Sequence, residues 1–160
     1  MIVVQPRKRA TVARNLQIKR AGRKVLRSFN SERVKYVVVG SVAARFHGGR
    51  KVPSDLDLLI DCSVENAPSV ERALRSLGLP LPSPVEDLCK AKKRLELWFD
   101  GHTYEVDVLM EVAGASFEDL YRDRCTIRTR AGEVSIASAE DVAAMEDAVR
   151  EIRPTGKQRT

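Results

Sequence analysis

The sequence is poor in cysteine, in aromatic residues and in long apolar runs. Its three cysteines, Cys62, Cys89 and Cys125, are odd in number and far apart. They match neither a disulfide framework nor a zinc spacing, which predicts free thiols in a reducing compartment. Aromatic residues make up 5% of the chain, too few for a base-stacking RNA motif with interleaved basic residues. No apolar run reaches the roughly eighteen residues that a membrane-spanning helix needs, so no membrane partner is expected. The start, Met1-Ile2-Val3-Val4-Gln5-Pro6-Arg7-Lys8-Arg9, lacks the apolar centre of a signal peptide. The expected location is the cytoplasm. There are no internal repeats.

One region lacks acidic residues altogether. Residues 1–31 carry nine Lys/Arg and no Asp or Glu, and the remainder carries nineteen basic and twenty-two acidic residues. The net charge of +6 is therefore +9 from the first segment and −3 from the rest. Such asymmetry suits a polyanion such as RNA; a solvated helix face is the plainer reading.

What is present points to one domain. At 160 residues the chain can bury a core without disulfide or metal support. The expected division is a flexible basic N-terminus at 1–10, a single domain over 11–152 and a basic tail at 153–160. Apolar spacing predicts a helix over 11–29 and another over 67–77, stopped by Gly78. The three prolines of 79–84 mark a loop. Residues 94–99 and 103–110 read as a hairpin around Asp100-Gly101, and 125–129 with 133–136 as a second one around Ala131-Gly132. Residues 117–121 form a helical turn and 139–152 a last helix. This mixture predicts an α/β (α+β) fold, a mixed sheet with helices packed on it.

Chemistry concentrates between Tyr36 and Asp61. Val37, Val38 and Val39 are β-branched and read as a buried strand. Gly40 permits a tight turn and close approach of a ligand. Ser41 stands at the expected N-cap of a short helix, where free N–H groups and its hydroxyl suit phosphate. Gly48-Gly49 ends that helix. A second strand then opens with Asp55-Leu56-Asp57, whose two acids, two residues apart, share one face. Two such carboxylates repel, and a hard divalent cation relieves them, magnesium above all when phosphates complete its shell. Asp107, on the strand 103–110, is the expected third acid, with Glu105 a weaker fourth. Three acids and two metal ions can clamp the oxygens of an in-line phosphoryl displacement. Asp107 can also take the proton of an attacking hydroxyl. Arg50 and Lys51, between the turn and the acids, are candidates to steady triphosphate charge, and Arg45 a lesser one. His47 is read as bonding locally, Asp61 as lying past the site, His102 as having no role, and Trp98 as core.

The pattern Gly-Ser, spacer, Asp-x-Asp and a later strand aspartate resembles the nucleotidyltransferase superfamily of the DNA polymerase β type. More closely, YVVVGSVAARFHGGRKVPSDLDLLID is similar to the small bacterial nucleotidyltransferases that include the AbiEii- and MenT-type toxins. The likeness spans roughly residues 30–150 and is strongest at 36–61. It implies a nucleotidyltransferase-type sheet and transfer of NMP from an NTP, with magnesium, two ions, as cofactor. Asp55, Asp57 and Asp107 would be the catalytic and metal-binding residues, and Gly40, Ser41, Arg50 and Lys51 would bind the nucleotide. The implied acceptor is an RNA, the 3′ end of tRNA in some members, and the implied protein partner is an antitoxin. Other relatives modify proteins or small molecules. The chain departs from the family at Glu146, where a lysine is usual, and at 153–158. There Lys157 or an arginine would have to replace the missing cation, or the protein would bind nucleotide or RNA without turnover. The family usually continues past the position of Thr160.

Overall fold

The computed structural model describes residue 16, residues 18–99 and residues 103–153, with backbone only for 103–105. Among the described residues a six-stranded mixed sheet carries helices packed on it, the architecture that the sequence pattern predicts. In chain order the elements are α1 (Arg20–Ser31), β1 (Tyr36–Val39), α2 (Gly40–Phe46), β2 (Leu56–Ile60), α3 (Asn66–Ser76) and α4 (Val85–Lys90). Then follow β3 (Leu95–Phe99), β4 (Thr103–Leu109), α5 (Phe117–Asp123), β5 (Cys125–Thr129), β6 (Gly132–Ile136) and α6 (Ala139–Ile152). The strand order is β3-β4-β2-β1-β6-β5. β1 runs parallel to β6, and β2 parallel to β4; the other neighbours are antiparallel.

The central strands are buried on both faces, as their unbroken apolar runs require. Tyr36 to Val39 are all buried, and so are Leu56, Leu58, Leu59 and Ile60. α1 and α3 pack on each other, and α1 also rests on β4 and β6. Their apolar stripes, Val25, Leu26 and Phe29 on one and Val70, Ala73 and Leu74 on the other, are fully buried. α5 lies on β1 and α2 touches α6. Ser116 and Ser138 cap α5 and α6, accepting from the N–H groups of Asp119 and Asp141 at 3.2 and 3.1 Å.

Several boundaries differ from the sequence expectation. Residues 1–15, 17 and 154–160 lie outside the described residues, and with them the expected start at 1–10 and all of the expected tail but Arg153. Of the helix expected over 11–29, the described part begins at Arg20, after an extended Lys19 (φ −68°, ψ 164°), and Ile18 lies against Gly22. A Cβ on Gly22 would sit 2.8 Å from Ile18 Cγ2 and 3.0 Å from Leu56 Cδ2, so only glycine admits this approach. Periodicity assigns no element to α4, although Pro84 before it, Glu86 and Asp87 in its first turn and Lys90 in its last suit a short helix. Trp98 is half exposed, not core. It lies on β3, an edge strand, just past a register shift between Leu97 and Trp98. Cys62, Cys89 and Cys125 are unbridged. Among the described residues no helix is long and apolar enough to cross a membrane.

A buried asparagine closes the β1–β2 ladder. Asn66 is 5% exposed and binds three backbone groups. It accepts from the Lys35 N–H at 2.8 Å and donates to the carbonyls of Lys35 at 3.0 Å and Asp61 at 2.7 Å. Asn66→Ala strands the Lys35 N–H and the Asp61 carbonyl, while the Lys35 carbonyl keeps the Asp61 N–H at 3.2 Å. The expected cost is about 3 kcal/mol, a fall of roughly 10 °C in Tm followed by circular dichroism. Asn66→Asp, which lacks the amide donor, should not restore it.

Candidate active site

The site begins where β1 ends. Gly40 has φ +68°, which turns the chain straight from strand into α2. Ser41 is therefore inside the first turn of α2 and not its cap; Val39 holds the cap position without a side-chain bond. The Ser41 hydroxyl instead points to the Asp55 carbonyl at 3.5 Å. Gly48 and Gly49 end α2, their N–H groups returning to the carbonyls of Arg45 and Ala44 at 3.1 and 2.9 Å.

Three strands then set up a row of polar residues. Asp57 lies opposite Val39 on β1 and opposite Asp107 on β4; Asp107 lies opposite Glu96 on β3. Residues directly opposed on neighbouring strands project from the same face. Asp57, Asp107 and Glu96 thus line one face, while Leu56, Leu58, Val106 and Leu97 anchor the other side in the core. Gly40 closes the row next to Asp57. A Cβ on Gly40 would land on Asp57 Oδ2, so the small residue makes room for the carboxylate.

The electrostatics follow from this crowding. Asp107 is 5% exposed, and its Oδ1 is buried without a hydrogen-bond partner. Asp57 is pushed up to about 7, chiefly by burial, then by the charges of Asp107 and Asp55 and by a hydrogen bond with Asp107. Arg94 pulls it the other way. Arg94 Nη2 itself holds Glu96 Oε1 at 2.9 Å.

The expected site residues are distributed unevenly. Asp57 and Asp107 come together. Asp55 stands just before β2, not within it, yet its charge reaches Asp57. Arg50 and Lys51 are exposed on the loop after α2. Arg45 clamps that loop, donating to the carbonyls of Gly49 and Arg50 at 3.0 and 3.1 Å. His47 bonds locally, its Nε2 lying 2.7 Å from the Ala137 carbonyl oxygen. Asp61 accepts from Ser63 at the far end of β2. Residues 100–102, His102 among them, and Lys157 lie outside the described residues, as does the Glu105 side chain.

Arg94 and Glu96 escaped the sequence reading because the hairpin is irregular. Phe99 pairs with Thr103 and Trp98 with Tyr104, but Leu97 pairs with Val106, so Glu105 is one residue extra on β4. Without that bulge Glu96 would oppose Val106. A signal was available: the apolar positions 95, 97 and 99 are out of phase with 106 and 108 across a three-residue turn. One inserted residue brings them into phase. The spacing of two from Glu105 to Asp107 spans the bulge and no longer implies a shared face.

The acid pair suits a hard divalent cation. It offers two carboxylates, one buried oxygen without a partner, and a glycine where a side chain would block the approach. Among the described residues no group of three or more His, Cys, Asp or Glu is placed to hold a metal by itself. Water and substrate oxygens would fill the other positions, as magnesium prefers. Neither described cleft is bordered by Asp57 or Asp107. A cleft of about 470 Å³ opens at the far ends of β2 and β4, between Leu59, Met110 and Phe117. A smaller one, beside Ile18 and Gly22, is bordered by Asp55.

No protein-family model matches the chain, and no curated protein matches it in sequence. Its fold is similar to that of a Thermotoga maritima protein of known crystal structure, provisionally assigned as a nucleotidyltransferase. The TM-score is 0.54 at 20% identity, over 85% of this chain and 87% of that one. The fold is thus of nucleotidyltransferase type.

Two outcomes follow from the geometry. Between the ordinary carboxylate range and about 7, folded Asp57 keeps a proton that the unfolded chain has released. Stability of the metal-free protein therefore falls as pH rises through that window. From pH 5 to 8 in EDTA, the Tm of the wild type should drop by on the order of 5 °C, and that of Asp57→Asn by clearly less. Equal slopes would rule Asp57 out as the cause. Gly40→Ala should displace Asp57 as well as strain the turn, costing about 2 kcal/mol and weakening Mn²⁺ binding measured by calorimetry at least tenfold.

Proposed function

We propose that this protein is a metal-dependent nucleotidyltransferase that moves NMP from an NTP to an acceptor hydroxyl and releases pyrophosphate. One observation carries the reading: Asp57 and Asp107, opposed on parallel strands beside Gly40, with a buried carboxylate oxygen left without a partner. The Thermotoga fold supports it. Asp57 and Asp107 would hold magnesium, joined by Asp55 at the mouth of β2. There magnesium would supply positive charge to offset that of the acids and the triphosphate. Gly40 leaves space for the Asp57 carboxylate, and Ser41, Arg50 and Lys51 would border the approach of the phosphates. The acceptor oxygen attacks the α-phosphorus in line. The bond from that phosphorus to the pyrophosphate oxygen breaks, and the hydroxyl proton passes to Asp107.

We read the acceptor as RNA, such as a tRNA 3′ end, and the protein as the toxin of a toxin–antitoxin pair. Support for RNA comes from α1. Arg20, Arg23, Lys24 and Arg27 are exposed at spacings that form one helical stripe. The neighbouring Lys19 borders the same small cleft as Asp55. The antitoxin rests on the resemblance alone. A second reading, a nucleotide- or RNA-binding relative without turnover, is favoured by Glu146 and by the lack of a three-acid cluster among the described residues. Protein or small-molecule acceptors belong to the first reading with a different substrate.

The test is transfer of label from each α-labelled NTP, with magnesium, into total RNA and total protein. Wild type should label RNA with at least one NTP, and Asp57→Asn should label it at least a hundredfold less. Label in protein would keep the enzyme and change the acceptor. NTP binding without transfer to RNA, protein or small molecules would establish the second reading.

A further inference from the structure

We infer that Arg94 is a further phosphate-recognising residue of this site, held in reserve on Glu96 until the triphosphate arrives. The inference rests on the nucleotidyl-transfer reading and names a residue that the sequence pattern does not reveal. Glu96 stands between the buried Leu95 and Leu97, so it is presented on the acid side of β3, and Arg94, just before the strand, reaches it with its guanidinium. Glu96 is opposite Asp107, and Asp107 is opposite Asp57. The guanidinium, 2.9 Å from Glu96, therefore stands over the row, and its charge is already felt at Asp57.

The site needs such a cation. Carboxylates that attract a metal also repel a triphosphate, and a positive group beside them offsets that repulsion. The other nearby cations are engaged or stand outside the sheet. Arg45 is spent on two loop carbonyls, and Lys92 pairs with Glu111 at 3.4 Å. Arg50 and Lys51 lie on the loop after α2, outside the sheet. Arg94 is free to change partner. Its ion pair with Glu96 is exposed, 61% and 41% for the two side chains, and such pairs hold weakly. A guanidinium fork also matches phosphate oxygens better than one oxygen of Glu96 does.

The experiment measures binding, not turnover, and uses inorganic tripolyphosphate with Mg²⁺, so that the base plays no part. Calorimetry on the full chain compares wild type, Arg94→Ala and Arg94→Lys, each also titrated with Mn²⁺ alone. Arg94→Ala should bind tripolyphosphate at least tenfold more weakly and Mn²⁺ as well as wild type or better, since a repelling cation has gone. Arg94→Lys should fall between. Opposite effects on anion and metal exclude a merely structural role. Tripolyphosphate binding by Arg94→Ala within twofold of wild type, or joint loss of Mn²⁺ and tripolyphosphate, would overturn the inference while leaving the transferase reading in place. A wild type that binds neither tripolyphosphate nor any NTP would overturn both.

Discussion

Two carboxylates held side by side in a sheet repel each other, and the structure around Asp57 and Asp107 is organised about that repulsion. β2 and β4 run parallel and in register, so neither acid can slide away without moving its strand. Leu56, Leu58, Val106 and Val108, alternating with them, are locked in the core beneath α1. The hydrophobic energy of the central strands thus holds in place a polar arrangement that is unfavourable by itself. A proton on Asp57 relieves it in part, and a cation would relieve it further. Such a site is prepared before its ligands arrive.

The distribution of tolerance around the pair is consistent with this. Gly40 cannot carry a side chain, since both its positive φ and the Asp57 oxygen forbid one. Asn66, at the opposite end of β1 and β2, fixes the same two strands through three backbone bonds. Position and orientation of Asp57 are therefore set from both ends of its strand. The loop between α2 and β2 is held by Arg45, which is tied to the loop backbone and not to the acids.

Much of this is legible in the sequence because it is local. Val37 to Val39, the Gly-Ser turn, the Gly48-Gly49 stop and the aspartates two apart are read from short-range rules, and the 139–152 helix falls where its periodicity places it. What is not legible depends on distant partners. Asn66 stands just outside the helix expected over 67–77, and its role shows only once Lys35 and Asp61 are seen around it. Ile18 reads as helical until Gly22 offers it a seat. Arg94 and Glu96 read only as part of a hairpin, because their pairing depends on one bulge residue that no local propensity announces. Asp55 belongs to the strand by alternation, yet the chain enters β2 one residue later.

The bulge in the β3–β4 hairpin also acts as a phase setter. Side-chain parity along β3 is fixed by counting residues back from the turn, and Glu105 adds one to that count. Loss of a single residue from β4 would exchange the faces of β3, sending Arg94 and Glu96 toward the core and Leu95 and Leu97 toward solvent. In this hairpin length is therefore a chemical variable: the number of residues, as much as their identity, decides which charges face the two aspartates.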